Sequence, residues 1–523
     1  MKHNSLRLIL ALILLSFFAR GVFLVGVFPI FKGQDESRHY NTVQYLSTGQ
    51  NKDCQNETYE KDGRQAFVKS EQVKQDLSTY RYSDEIKETS LVVQHKQIRG
   101  EYYDKVNFID GKDGLGEEEF KNVQHSKVQH VCPPDVATSS FGKKRFSLYQ
   151  WGASVVERLL SSQDIFVRYS ALRIISVLLG MIMLWMAYNI FRVVRFSEKQ
   201  SLILIAIISF QPKLVTYFTN INYDVLLITL WTGFILIGSI VLKKGWSFGR
   251  GLLLILLLVG AIVTKPSALP LLGLALFLVG KTFYREFKEQ KINWVVIALI
   301  VLVGGGISCL LFDKVGLTSL FSERYLSVLG EYLSKSLPKI YGSSRDYWGA
   351  IGWSANNLTL VYVKAIWVIE WIAWLGLGIW IVGPWVEKVV GNFAKVGPLQ
   401  SYKDWTFVRT FVRFSAELKK QKKYFWFMII SVIVLQLGIR VADWRVFTGS
   451  GSLALGTPGR YWLPNVVPHF VLLAIGLKVI VGFARSKVLR ERYFELSLLG
   501  FLVLMILYWC YEAVNIIIPR FYL

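Results

Sequence analysis

Residues 251–280 read GLLLILLLVGAIVTKPSALPLLGLALFLVG. Two apolar runs, about 251–264 and about 267–280, meet at Thr264-Lys265-Pro266-Ser267. Each is shorter than the ~20 residues that span a bilayer of ordinary thickness, yet a soluble core has no use for two such runs in succession. They read as a short membrane hairpin with a lysine at its turn.

Outward from this hairpin the pattern repeats. Further apolar runs at about 6–28, 170–191, 201–218, 225–241, 294–312, 361–386, 425–441, 464–483 and 495–517 bring the expected total to about eleven transmembrane helices. Hydrophobic residues make up 53% of the 523, and 17 Trp, 25 Tyr and 34 Phe provide anchors for the membrane–water interface. The fold class expected is an all-α polytopic membrane protein. The first run lacks a small-x-small cleavage site and is followed by more spans, so it reads as a retained helix and not a signal peptide.

The 60 Lys and Arg against 37 Asp and Glu leave a net charge of +23. Their placement argues against a nucleic-acid surface, because the cations sit in short segments between apolar runs. Arg192, Arg195 and Lys199 form one such group, Lys243, Lys244 and Arg250 another. Lys281, Arg285, Lys288 and Lys291 follow, then Lys419, Lys420, Lys422 and Lys423, and last Arg485, Lys487, Arg490 and Arg492. With the N-terminus inside, all of them fall on the cytoplasmic face, as the positive-inside rule asks. One span more or fewer would invert everything downstream.

The other face then receives 29–165, the turns at 219–224 and 264–267, and the loops 313–360 and 443–463. The expected division is residues 1–49 (first helix and a juxtamembrane acidic segment), 50–145 (extracytoplasmic insert), 146–312 (spans two to seven), 313–360 (extracytoplasmic loop) and 361–523 (spans eight to eleven). The insert carries 17 of the 37 acidic residues, which makes it the one candidate for a soluble domain. It also holds Cys54 and Cys132, which an oxidising compartment would allow to pair. Cys309 and Cys510 lie inside apolar runs and read as packing residues.

Three groups of residues have the makings of a site. The first is Gly33-Gln34-Asp35-Glu36-Ser37-Arg38-His39-Tyr40, directly after the first run. On a helix Asp35 and His39 share a face, and Tyr40, Val43 and Leu46 form a stripe on which the segment can lie flat on the bilayer. The plain alternative is an Asp N-cap with a solvated first turn. The second group is charge in apolar surroundings: Lys265, Arg173, Asp224 and Arg460. Arg173 reads as a side chain snorkelling to the headgroups, whereas Lys265 in its turn reads as functional. The third is a pair of outer-loop patches, Arg345-Asp346-Tyr347-Trp348-Gly349-Ala350-Ile351-Gly352-Trp353 and Gly459-Arg460-Tyr461-Trp462-Leu463-Pro464. Their aromatics suit an interfacial belt, and arginine beside aromatics also suits a phosphate or a sugar.

In order, the chain shows Asp35-Glu36-x-x-His39, Asn222-Tyr223-Asp224, Thr264-Lys265-Pro266, Trp348-Gly349-x-x-Gly352-Trp353 and Gly459-Arg460-Tyr461-x-x-Pro464. This series resembles the GT-C class of membrane glycosyltransferases, and within it a bacterial polytopic family related to protein O-mannosyltransferases and aminoarabinose transferase. The match covers nearly the whole chain except 50–145; Gln34 stands where proline is usual, and the insert is long. The resemblance implies an integral membrane enzyme of a bacterial plasma membrane with an extracytoplasmic site. Its partners would be a polyprenyl-phosphate-linked sugar donor, an acceptor (cell-envelope glycan, lipid or protein) and membrane lipids, with no nucleic acid. Transfer would proceed by inverting displacement, with Asp35 as base and Glu36 as the alternative base or a positioning group. Lys265 and Arg460, with Arg345 behind them, would face the donor phosphate; His39, Asp224, Tyr461 and Trp348 would hold the sugar or orient the base. No cofactor is called for. A divalent metal between Asp35, Glu36, His39 and Asp224 is conceivable but lacks the spacing of a closed site. The competing readings are a lipid-linked glycan transporter or flippase, which would keep charges at the midplane and show inverted repeats, a glycan ligase or polymerase, and a non-catalytic scaffold.

Cysteine labels at Lys243, Lys288 and Lys422 are expected to report cytoplasm, and labels in 60–140 the opposite face; an outward report from 387–424 would break this threading. Cys54 and Cys132 are expected to resist alkylation in native, unreduced protein, and two reactive thiols would show that they are not paired.

Overall fold

A computed structural model of the chain describes residues 3–28, 30–31, 33, 35–48, 86, 146–288, 326–351, 354–355, 360–393, 421–451, 453, 458–482 and 486–518. Helices dominate. In chain order they are α1 (His3–Val27), α2 (Glu36–Thr48), α3 (Leu148–Leu159), α4 (Ile165–Val193), α5 (Glu198–Ser209), α6 (Pro212–Tyr217), α7 (Tyr223–Lys244) and α8 (Phe248–Thr264). There follow α9 (Pro270–Lys288), α10 (Leu329–Ser336), α11 (Lys339–Gly349), α12 (Leu360–Phe393), α13 (Lys422–Ser450), α14 (Val466–Val481) and α15 (Lys487–Glu512). Short 3-10 turns at Pro266–Ala268 and Gly459–Asn465 precede α9 and α14. The described strands are a two-residue antiparallel pair, Ala350–Ile351 with Ser354–Ala355.

Among the described residues seven helices are long and apolar enough to cross a membrane: Asn4–Val27, Ile165–Val193, Tyr223–Lys244, Leu360–Gly383, Lys422–Ser450, Gly459–Val481 and Val488–Ile517. The hairpin at 251–280 appears as two shorter apolar helices. One difference from the expected reading has a clear cause. The run at 201–218 is not one continuous helix: α5 ends at Ser209 and α6 starts afresh at Pro212, with the Gln211 side chain accepting the Leu214 N–H as its cap. Proline has no N–H to continue α5 and suits a first helical position. The expected span at 294–312, the cysteines at 54, 132 and 309, and the insert apart from Ile86 lie outside the described residues. Cys510 is exposed on α15, contrary to the packing role read from its apolar run.

Helix ends gather at two poles. At one, Lys199 meets Glu495 at 2.5 Å, Gln200 donates to Glu491 at 2.6 Å, Gln421 donates to the Val194 carbonyl at 3.1 Å, and Lys423 donates to the Leu242 carbonyl. The ends of α4 and α7 and the starts of α5, α13 and α15 therefore meet among basic residues. The opposite pole collects the segment after α1 and the starts of α4 and α7. The end of α8 and the turn before α14 join it there.

Between the poles the helices pack through apolar side chains and a few buried polar ties. Asn465 accepts from Trp231 Nε1 at 3.1 Å and from Ser431 Oγ at 2.6 Å, and returns a bond from Nδ2 to the Ser431 carbonyl at 2.8 Å. One side chain thus joins α7, α13 and the turn before α14. Where α12 crosses α14, a Cβ on Gly376 would lie 2.1 Å from the Gly476 carbonyl oxygen, so the two backbones touch. Small residues permit this approach in a bilayer, where the hydrophobic effect gives helix–helix contacts no advantage.

Two sequence expectations are corrected here. The stripe Tyr40, Val43 and Leu46 does not lie on lipid. All three are buried, and the Tyr40 ring sits 4.9 Å from Tyr169 while its hydroxyl donates to Glu157 at 3.0 Å. Glu157 is in turn paired with Arg168. It is α3 that presents an outward apolar stripe, Leu148, Trp151, Val155 and Leu159. Arg173, expected to snorkel, is 2% exposed and grips Glu36 through two parallel bonds, Nε to Oε1 and Nη2 to Oε2, both 2.8 Å. Its Nη1 donates to the Phe28 carbonyl at 2.6 Å.

Because each charge of this pair is buried, removing one strands the other, at a cost of about 3–5 kcal/mol. Arg173→Met is expected to lower the unfolding temperature sharply in detergent or nanodiscs. The double change Glu36→Gln with Arg173→Met is expected to recover part of the loss. Wild-type thermal stability in the single variant would contradict this role.

Candidate functional site

Glu36 organises the pole opposite the basic one. Besides Arg173, its carboxylate accepts the Gly33 N–H at 2.9 Å and the Ile221 N–H at 3.0 Å. It thereby joins the start of α2 to α4 and to the turn that leads into α7. Every bond is charge-assisted, the stronger kind.

That junction fixes two more carboxylates. Asp35 precedes α2 with φ 56°, the left-handed region that aspartate enters more readily than most residues. Its carbonyl takes the first helical bond from the His39 N–H at 3.1 Å, while its side chain points to the Gly459–Asn465 turn. There Arg460 Nη2 lies 3.4 Å from Asp35 Oδ2 and 3.4 Å from the Tyr461 hydroxyl. Asp224 sits in the first turn of α7, where the helix dipole favours a negative charge. Asn222 caps that turn, its Oδ1 accepting the Asp224 N–H at 2.8 Å. Lys265, in the break between α8 and the 3-10 turn, donates to Asp224 Oδ1 at 2.7 Å, and Tyr217 donates to Oδ2 at 3.1 Å. The Lys265 ammonium also lies 4.8 Å from the ring centres of both Tyr223 and Tyr461, within cation–π range.

The site therefore holds two carboxylate–cation pairs under a shared tyrosine, Tyr461, whose ring also lies 5.1 Å from the Arg460 guanidinium. Side-chain exposure differs among them. Asp35 is 27% exposed, against 10% for Arg460 and for Asp224 and 16% for Lys265. Asp35 is the more exposed of the two carboxylates.

His39 lies beside them, packed edge-on against Tyr223 at 4.4 Å and 3.4 Å from Gln150 Nε2 through Nδ1. Burial pushes its pKa down to about 4, against the pull of Asp35 and Asp224. The ring is neutral at ordinary pH; with Gln150 donating to Nδ1, Nε2 carries the hydrogen.

Sequence reasoning thus named six residues that the fold brings together: Asp35, His39, Asp224, Lys265, Arg460 and Tyr461. Glu36 stands behind them with its oxygens engaged. Trp348 does not join them. It is fully buried, donating to Glu370 at 3.1 Å and packed beside His469, Phe470 and Phe501. Arg345 lies on α11, half-buried, next to Asp346. Among the described residues no three His, Cys, Asp or Glu side chains converge as ligands. The set Asp35, Glu36, His39 and Asp224 fits a metal poorly, because Glu36 faces Arg173 and Asp224 faces Lys265.

Two contributions were not read from the sequence. Lys213, 1% exposed, donates to Asp346 at 2.9 Å, and Gln211 donates to the Tyr347 carbonyl at 2.5 Å, tying α6 to α11. A lysine within the apolar run 201–218 was the available signal. Against the same α11, a Cβ at Gly459 would come within 2.2 Å of the Ser343 carbonyl oxygen, so only glycine lets the Arg460 turn lie there. The second is Tyr217, which no spacing rule singles out.

Comparison with known proteins adds one relation: the family model described as dolichyl-phosphate-mannose-protein mannosyltransferase matches residues 151–305. The matched stretch contains Arg173, Asp224 and Lys265; Asp35 and Arg460 lie on either side of it. No curated protein and no solved structure matches the chain. Over residues 151–305, then, this chain is similar to the dolichyl-phosphate-mannose-protein mannosyltransferase family, a family of the GT-C class.

Proposed function

We propose that the protein is an integral membrane glycosyltransferase that moves a sugar from a polyprenyl-phosphate-linked donor to an acceptor hydroxyl on a cell-envelope glycan, lipid or protein. The observation that supports it most is the pairing of a reachable carboxylate, Asp35, with Arg460, beside a second cation, Lys265. The GT-C domain over 151–305 supports the same reading.

In the proposed step the acceptor oxygen attacks the anomeric carbon as the bond from that carbon to the phosphate oxygen breaks. The leaving phosphate keeps the electron pair, and the acceptor's proton passes to the Asp35 carboxylate. A single displacement inverts the anomeric centre. Charge develops on the phosphate oxygen, where Lys265 and Arg460 stabilise it. Glu36 acts through position: its bonds to Arg173 and two amides hold the backbone from which Asp35 projects. Neutral His39 and Asp224 orient the sugar and the lysine, and Tyr461 lies between the two cations.

The reading also gives the site a side. Basic helix ends gather at the opposite pole, and the positive-inside rule makes that pole cytoplasmic, so the site would face outward; the resemblance to a bacterial polytopic family implies a bacterial plasma membrane. A phosphate-linked donor with a long hydrocarbon tail would approach beside the short helices α8 and α9.

Asp35→Asn is expected to insert, fold and bind donor while glycosyl transfer falls by about two to four orders of magnitude. Lys265→Met is expected to weaken donor use about ten- to a hundredfold, the worth of a charge-assisted contact of roughly 1.5–3 kcal/mol. The assay follows transfer from a polyprenyl-phosphate-linked sugar by mass spectrometry in nanodiscs. Near-normal transfer by Asp35→Asn would remove the mechanism, and unchanged donor kinetics in Lys265→Met would remove lysine from the phosphate site.

A further inference from the structure

The ion pairs of this pole differ in tightness. Glu36 and Arg173 meet twice at 2.8 Å, and Lys265 meets Asp224 at 2.7 Å. Arg460 and Asp35 meet once at 3.4 Å, with the same nitrogen also 3.4 Å from the Tyr461 hydroxyl. At that distance the contact is an electrostatic attraction more than a formed hydrogen bond.

The two partners are also held by separate supports. Asp35 projects from the start of α2, which Glu36 anchors to α4 and to Ile221. Arg460 projects from the turn that lies against α11 through Gly459. The long contact closes the gap between these supports. Of the three ion pairs it is the longest, and it involves the most exposed carboxylate of the three.

A phosphate offers the guanidinium several oxygens, and arginine binds phosphate in a fixed two-pronged geometry. Presented with a phosphate, Arg460 can exchange its long contact with Asp35 for shorter ones without dismantling the buried pairs Glu36–Arg173 and Asp224–Lys265. We infer that Arg460 is shared in turn: Asp35 holds it in the empty site, and the donor phosphate takes it on binding, which leaves Asp35 open to the acceptor hydroxyl. The inference rests on the transferase reading above and adds an order to it. Donor binds first, and the base is exposed to the acceptor only once a donor is in place.

The sign of one measurement is distinctive. If Asp35 competes with phosphate for Arg460, neutralising Asp35 strengthens phosphate binding even as it abolishes transfer. Undecaprenyl phosphate, which carries no sugar, serves as the probe, titrated against the full chain in nanodiscs. Asp35→Asn is expected to bind it about fivefold or more tightly than wild type, a coupling of ordinary allosteric size. Asp35→Ser gives a second neutral site should the asparagine variant fold poorly. Arg460→Gln is expected to bind the probe weakly, and adding Asp35→Asn to it is expected to restore nothing. Unchanged or weaker binding by both neutral Asp35 variants would overturn the exchange. So would an equal gain with and without Arg460, which marks a general charge effect. These results are independent of transfer: a transfer-dead Asp35→Asn with no gain in affinity removes the exchange alone, whereas a transfer-competent one removes the base.

Discussion

A charge cannot sit within a membrane protein unless something holds it, and the pair Glu36–Arg173 is where this protein meets that demand. Both side chains are buried, and Glu36 takes bonds from the Arg173 guanidinium and from the Gly33 and Ile221 amides. Removing either partner leaves an uncompensated charge in a medium of low polarisability. The pair is therefore an anchor with few alternatives. It fastens the start of α2 and the turn before α7 to one helix, α4, and from those two places project Asp35 and Asp224. Neighbouring acidic residues in one motif have divided their work by burial. Glu36 turns inward and fixes the geometry; Asp35 turns toward Arg460 and stays reachable.

The remaining parts of the site follow from local chemistry around that anchor. Asn222 caps α7 and so places Asp224 in its first turn. The break between α8 and the turn at Pro266–Ala268 sets Lys265 against Asp224. Gly459 brings the Arg460 turn against α11, which Gln211 and Lys213 hold from below. Lys265 and Arg460, carried by separate segments, thus meet at one tyrosine, Tyr461. In the proposed transfer, Lys265 and Arg460 would already lie side by side when a phosphate arrives, and only the Arg460–Asp35 contact would have to give way.

Much of this was legible in the sequence, for reasons that can be named. A bilayer imposes apolar runs of a minimum length, so the long spans stood out. An ionisable residue in such surroundings is costly, so Lys265, Asp224 and Arg460 were conspicuous as well. Partnership was not legible. Arg173 lay near the end of a run, where snorkelling is the ordinary outcome, and nothing in its neighbours pointed to a glutamate 137 residues away. The stripe Tyr40, Val43 and Leu46 had the spacing of a surface helix; burial against Tyr169 and Glu157 depends on tertiary packing that spacing does not encode. Trp348 shared a motif with loop residues yet turns into the core, because its indole N–H is satisfied there by the partly buried carboxylate of Glu370. The interruption at Gln211-Pro212 was readable from the proline, but a buried run on both sides masked it.

The central claim is that the pole carrying Asp35, Lys265 and Arg460 receives a lipid-linked phosphate. The most direct measurement is a cryo-EM map of the full chain in nanodiscs with undecaprenyl phosphate bound. The expected result is phosphate density between the Lys265 ammonium and the Arg460 guanidinium, with Asp35 facing the open side. Phosphate density at the opposite pole, among Lys199, Lys423 and Lys478, would contradict it.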